Sequence, residues 1–129
     1  MRLLIDTHAL VWAATEPARL GARASNLFGD ATHELFLSAV SCWELAIKSR
    51  LGKFPVPPEH LGAFIGDQLV ALTLEELVID RRHGLATASL PLLHRDPFDR
   101  LLVAQALVEG LAIVTNDPLI ARYGVETIW

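Results

Sequence analysis

The sequence has a single cysteine, Cys42, so it can close no internal disulfide and offers no thiolate knuckle for a metal. Its five histidines follow neither metalloprotease nor zinc-finger spacing. No Gly-x-Ser-x-Gly elbow marks a serine nucleophile, and no glycine-rich loop is present to cradle a phosphate. The longest apolar runs fall far short of the ~20 residues that cross a bilayer. The N-terminus also lacks the basic, apolar and cleavage-site succession of a secretory signal. A cytoplasmic chain without membrane contact is the simplest expectation. Positive charge is scarce too: 11 Lys and Arg face 15 Asp and Glu, for a net charge of −4. Bulk electrostatics therefore cannot be what holds a nucleic acid. A cluster of acids that takes up divalent cations would still reverse the sign locally.

What the chain does have is apolar residues, 52% of 129, and a mean hydropathy of +0.37. Disorder is excluded, and a large core or a buried interface is implied. Without repeats or linkers, residues 1–129 read as one domain. Residues 2–6 form a buried strand running into a helix over 8–14, and a second helix covers 20–30. A strand at 34–38 precedes a helix over 40–51, whose apolar side is Val40, Trp43, Ile47 and Leu51. Gly52 and the Phe54–Pro58 segment stop it, and Pro58 opens a helix to Ala71 with Leu61, Phe64, Ile65 and Leu69 on one face. Then follow a strand at 77–79, a helix near 81–88, a strong helix from Pro97 to Glu109, a buried strand at 111–115, a short helix and an edge at 125–128. Alternating strands and helices predict an α/β fold, a mainly parallel sheet covered on both faces with all strand C-termini on one edge.

Carboxylates are expected to meet at that edge, each with an ordinary alternative role. Asp6 and Asp117 follow the two most apolar strands, yet each also suits a helix N-cap, Asp117 before Pro118 especially. Glu44 borders the apolar stripe of its helix, or else forms a solvent-facing i, i+4 pair with Lys48. Asp96 caps the 97–109 helix with Pro97 at N1, which puts Asp99 at N3, where the helix dipole also favours a carboxylate. His8 and His94 lie beside acids and read as structural or as supports for them. Three or four carboxylates on one edge repel unless cations neutralise them, and hard oxygen ligands select Mg²⁺ or Mn²⁺. That is the equipment of metal-assisted phosphodiester hydrolysis.

Four blocks, in order, resemble the PIN-domain ribonucleases, specifically the VapC-type toxins of toxin–antitoxin pairs. They are Leu4–Trp12 with Asp6, Ser38–Lys48 with Glu44, His94–Ala106 with Asp99, and Ile113–Asp117 with Asp117. The resemblance covers essentially the whole chain. It implies a three-layer α/β/α sandwich and a catalytic, metal-holding set of Asp6, Glu44, Asp99 and Asp117. One or two Mg²⁺ or Mn²⁺ ions would orient a water for attack on RNA. Asp96, Thr7, Thr115 and His94 are further candidates for the site, and Lys48, Arg50, Lys53, Arg95 and Arg100 are candidates for RNA phosphates. The resemblance also implies a homodimer and a cognate antitoxin that covers the site, with a higher assembly of the two as the alternative to a simple dimer. Helices 40–51 and 58–71 are the candidate surfaces.

Two other readings compete. A haloacid-dehalogenase-type phosphatase would use Asp6 as nucleophile but wants a second Asp two residues on, where this chain has His8. A catalytically silent PIN module acting by protein binding is opposed by the presence of all four acids.

Overall fold

A computed structural model describes residues 1–129. Five strands, β1 (Arg2–Ile5), β2 (Glu34–Ser38), β3 (Leu74–Leu77), β4 (Ala112–Val114) and β5 (Thr127–Ile128), form one all-parallel sheet in the order β3-β2-β1-β4-β5. Seven α-helices cover it: α1 (Thr7–Thr15), α2 (Ala22–Leu27), α3 (Ala39–Arg50), α4 (Pro58–Ala71), α5 (Arg81–Ala86), α6 (Pro97–Glu109) and α7 (Pro118–Ala121). The three-layer α/β/α expectation is met.

The layers follow from strand alternation. Leu3 and Ile5 of β1 point into a core with Leu35, Leu37, Val114 and Ile128 of the sheet, Ala9 and Leu10 of α1, Leu27 of α2, Leu45 of α3 and Leu61 of α4. Leu4, between them, points the other way and packs with Ile113 against Leu102, Val103 and Ala106 of α6, joined by Ile120 and Tyr123. Central strands buried on both faces need a continuous apolar run, which β1 and β4 supply. From β1 the chain steps outward to β2 and β3, then returns by α5 and α6 to place β4 on the other side of β1. The winding reverses between β1 and β4, and ligands of open α/β sheets bind beyond the strand C-termini at such a reversal.

Three expectations need correction. The third strand is residues 74–77, not 77–79: Leu74 is buried and pairs with Leu35, while Val78 and Ile79 lie outside the ladder and are exposed. Glu75 and Glu76 are exposed on this edge strand, where charge discourages pairing with another chain. The 20–30 helix is only residues 22–27, preceded by a 3₁₀ turn at Pro17–Arg19. In α3 the inward residues are Val40, Ser41, Glu44, Leu45 and Ser49, so Trp43, Ile47 and Leu51 of the expected apolar side face outward. Polar groups on neighbouring segments decide this. Ser41 accepts a hydrogen bond from Thr7 (2.9 Å), and Ser49 donates one to the Val56 carbonyl (2.6 Å).

Candidate active site

Asp6 ends β1 and takes the N-cap position of α1, yet its side chain makes no cap bond. It accepts instead from the Thr115 hydroxyl just past β4, at 2.8 Å. That hydroxyl also accepts the Asp117 backbone N–H (3.1 Å), so one threonine ties the two strand ends together. Asp6 is 6% exposed. Burial raises its carboxyl above the ordinary range and Glu44 pushes the same way, with the Thr115 bond and His8 opposing.

Asp117 does take up the expected cap, but with only one of its oxygens. One carboxylate oxygen accepts the Leu119 N–H and caps α7, and the other lies 2.8 Å from Nε2 of His94. A carboxylate only accepts, so Nε2 carries the proton. Nδ1 of His94 then accepts from the Tyr123 hydroxyl (2.9 Å), and that hydroxyl accepts the His94 backbone N–H (2.9 Å). The His94 ring also stacks on Tyr123, with centroids 5.5 Å apart and planes 11° from parallel.

Asp99 sits in the first turn of α6, which Asp96 caps through the Phe98 N–H. Asp99 lies 4.0 Å from Nε2 of His94, and ligand atoms of His94, Asp99 and Asp117 fall within 4.8 Å of one another. Burial, then the negative charges of Asp96 and Asp6, push the Asp99 carboxyl up to about 7; His94 opposes this and Glu44 adds to it. Glu44 is 9% exposed and bonds Lys48 at 2.8 Å. The expected i, i+4 pair thus exists, but its acid is buried rather than solvent-facing. Four acids from four elements meet at the reversal between β1 and β4. Their hard oxygens suit Mg²⁺ or Mn²⁺, and a cation there would relieve the repulsion from Asp96, Asp6 and Glu44 that adds to burial in raising Asp99.

Residues 3–126 match the model of the PIN domain. The chain belongs to the PIN-domain family. It is 30% identical over 116 residues to ribonuclease VapC22 of Mycobacterium tuberculosis, spanning 89% of this chain and 86% of that one. It is 38% identical over 69 residues to ribonuclease VapC16 of the same organism; that match spans half of this chain and 48% of the relative. Among solved structures, VapBC2 from Rickettsia felis bound to a promoter DNA fragment aligns at a TM-score of 0.74, with 17% identity over 99% of this chain and 98% of that one. VapBC-1 from nontypeable Haemophilus influenzae aligns at 0.69, with 15% identity over 99% and 97%. Both share the PIN fold.

Beside the acids of this PIN domain runs an open groove of about 270 Å³, lined by His8, Glu44, Ile47, Lys48, Leu51, Lys53, Asp96, Phe98 and Asp99. Of the five candidate cations, Lys48 and Lys53 line it. Arg50 and Arg95 are exposed. Arg100 is engaged elsewhere: its two terminal nitrogens donate to the Pro91 and Thr87 carbonyls at 2.8 and 2.9 Å, holding the segment before α6. Thr7 is buried and its hydroxyl serves Ser41, not an acid.

Two supports had no assigned role in the sequence reading. Tyr123 lies 29 residues from the histidine it orients, a distance no local pattern bridges. Ser38 caps α3 through the Val40 N–H and donates to Gln105 of α6, whose amide also donates to the Val78 carbonyl (3.2 Å). This buried link ties the helix carrying Glu44 to the helix carrying Asp99. A second acid–histidine group, Asp80, His83 and Glu109, is satisfied internally. His83 accepts the Asp80 N–H and bonds Glu109 at 2.7 Å, while Arg82 pairs with both acids.

Proposed function

We propose that this PIN domain is a metal-dependent endoribonuclease and the toxin of a type II toxin–antitoxin pair, residues 1–129 forming one catalytic unit in the cytoplasm. The convergence of Asp6, Glu44, Asp99 and Asp117 carries the reading, with Asp99 pushed up to about 7 by burial and its acidic neighbours. These four would hold one or two Mg²⁺ or Mn²⁺ ions. When bound, such a cation lowers the pKa of water for in-line attack and offsets charge on the phosphate oxygens.

The remaining parts orient and neutralise. Thr115 fixes Asp6, Lys48 fixes Glu44, and the Tyr123–His94 pair fixes Asp117. Asp96 serves mainly as the cap that positions the first turn of α6, and with it Asp99. Lys53 in the groove and the exposed Arg50 and Arg95 would contact RNA phosphates, and Lys48 would join them from its pair with Glu44. The VapC names of the relatives and the VapBC names of the structural neighbours support an antitoxin partner, and homodimerisation belongs to the same reading. For such contacts α4 offers Val70, 82% exposed, beside the half-buried Phe64, Ile65 and Leu69 that pack on the core. Ile47 of α3 and Leu51 just past it are 37% and 61% exposed.

The test is cleavage of structured RNA by the purified full chain with Mg²⁺ or Mn²⁺, beside Asp6→Asn, Asp99→Asn and an EDTA control. Metal-dependent cleavage lost in both variants is expected. Equal cleavage by wild type and variants would mean a contaminating nuclease and end the assignment.

A further inference from the structure

Trp43 and Phe98 form an edge-to-face pair, with centroids 4.9 Å apart and planes at 77°. Each immediately precedes an acid of the site: Trp43 precedes Glu44 on α3, and Phe98 precedes Asp99 on α6. Successive helical residues are turned roughly 100° apart, so each ring lies beside its acid rather than over it. Trp43 is 56% exposed, unusual for the largest side chain, whereas Phe98 is half-buried and lines the acid groove with Lys48 and Lys53. Contact between the rings limits the rotamers of Trp43, so its free surface is held in advance of any ligand. The two helices beneath are themselves linked by Ser38 and Gln105.

We infer that the Trp43–Phe98 pair is a stacking platform for a nucleobase of single-stranded RNA, next to the phosphate held at the acids. This rests on the nuclease reading and names how its substrate is gripped. The groove that Phe98 lines also holds Lys48 and Lys53 beside carboxylates suited to cations, and these polar groups favour RNA as the occupant over a purely apolar partner. An aromatic pair at the edge of a groove with lysines has the chemistry of single-strand binding. A chain of net charge −4 gains little from bulk attraction to a polyanion, so affinity must come from local contacts. Stacking on an aromatic side chain contributes about 1–3 kcal/mol per base, roughly 5- to 150-fold in affinity, and needs no net positive charge.

The test measures binding of short single-stranded RNA to the full-length protein, with Ca²⁺ in the buffer as a hard cation for the carboxylates. Trp43→Ala is expected to weaken binding at least about fivefold and Trp43→Leu equally, while Trp43→Phe stays within about twofold of wild type. Replacing one nucleotide by an abasic unit should weaken wild type by the same factor and leave the Ala variant unaffected at that position. Unchanged binding by Trp43→Ala overturns the platform, as does Trp43→Leu binding like wild type, which would mean apolar contact without stacking. A changed oligomeric state of Trp43→Ala on gel filtration would make the patch a self-interface and overturn it too. If wild type cuts RNA but the Trp43 variants bind it normally, the platform alone fails. If wild type neither binds nor cuts RNA, the nuclease reading fails with it.

Discussion

Asp6 and Asp117 stand just past neighbouring strands, each at a helix N-cap position, yet their carboxylates do different work. Asp117 caps α7 and accepts from His94, whereas Asp6 leaves its cap unmade and turns to Thr115. Asp6 and Asp99 both have raised carboxyls, and that of Asp99 is pushed up to about 7. Folded, it keeps its proton up to about pH 7; its ordinary value is 3.8. The folded state therefore binds the extra proton between those values, and this contribution to stability is lost as pH rises through about 7. Metal-free Asp99→Asn should equal wild type near pH 4 and be about 1–3 kcal/mol more stable at pH 8, as read by urea unfolding at both pH values. Parallel pH responses would show that the Asp99 carboxyl is not raised. Tyr123→Phe removes one hydroxyl that serves both the His94 ring and its backbone. It is expected to cost about 1–3 kcal/mol of stability and to weaken Mn²⁺ binding roughly tenfold by calorimetry, since partners that orient ligands govern affinity.

The helices hold these residues through contacts of differing legibility. The start of α6 was readable because Asp-Pro is a local signal, and the structure has the Asp96 cap, Pro97 at N1 and left-handed Gly110 at the end (φ 67°). The inward face of α3 was not readable, because its periodicity pointed to Trp43, Ile47 and Leu51. Ser41, Glu44 and Ser49 turn inward because Thr7, the acid site and the Val56 carbonyl lie there, and these partners come from elsewhere in the chain. Gly21 shows the same dependence. A Cβ there would sit 2.5 Å from the Trp129 carbonyl carbon and 2.6 Å from its indole Cδ1. Gly21→Ala should destabilise the protein by about 1–3 kcal/mol in denaturant unfolding, because backbone cannot swing aside as a flexible side chain can. Unchanged stability would mean that Trp129 does not pack on the start of α2.

At the scale of the whole molecule, topology collects the acids. Asp6 and Asp117 are 111 residues apart in the chain, but β1 and β4 pair in parallel, and the reversal of winding opens the edge between them. α3 and α6 bring Glu44 and Asp99 to that edge from opposite faces of the sheet. The same crowding predicts how metal acts on stability. Mn²⁺ should raise the Tm more at pH 8 than at pH 6, since at higher pH it replaces a lost proton instead of competing with one. An equal rise at both values would place the cation away from Asp99. By itself the sequence determined the fold class and the order of the elements and pointed to four acids, because apolar runs, caps and ordered motifs are local and survive in one dimension. Only the tertiary structure decided that Asp6 forgoes its cap, that Tyr123 orients His94 and that Trp43 stands exposed beside the acids. Those depend on which surfaces meet, and Leu3-Leu4-Ile5-Asp6 acquires neighbours for its carboxylate only once β4, α3 and α6 have closed around it.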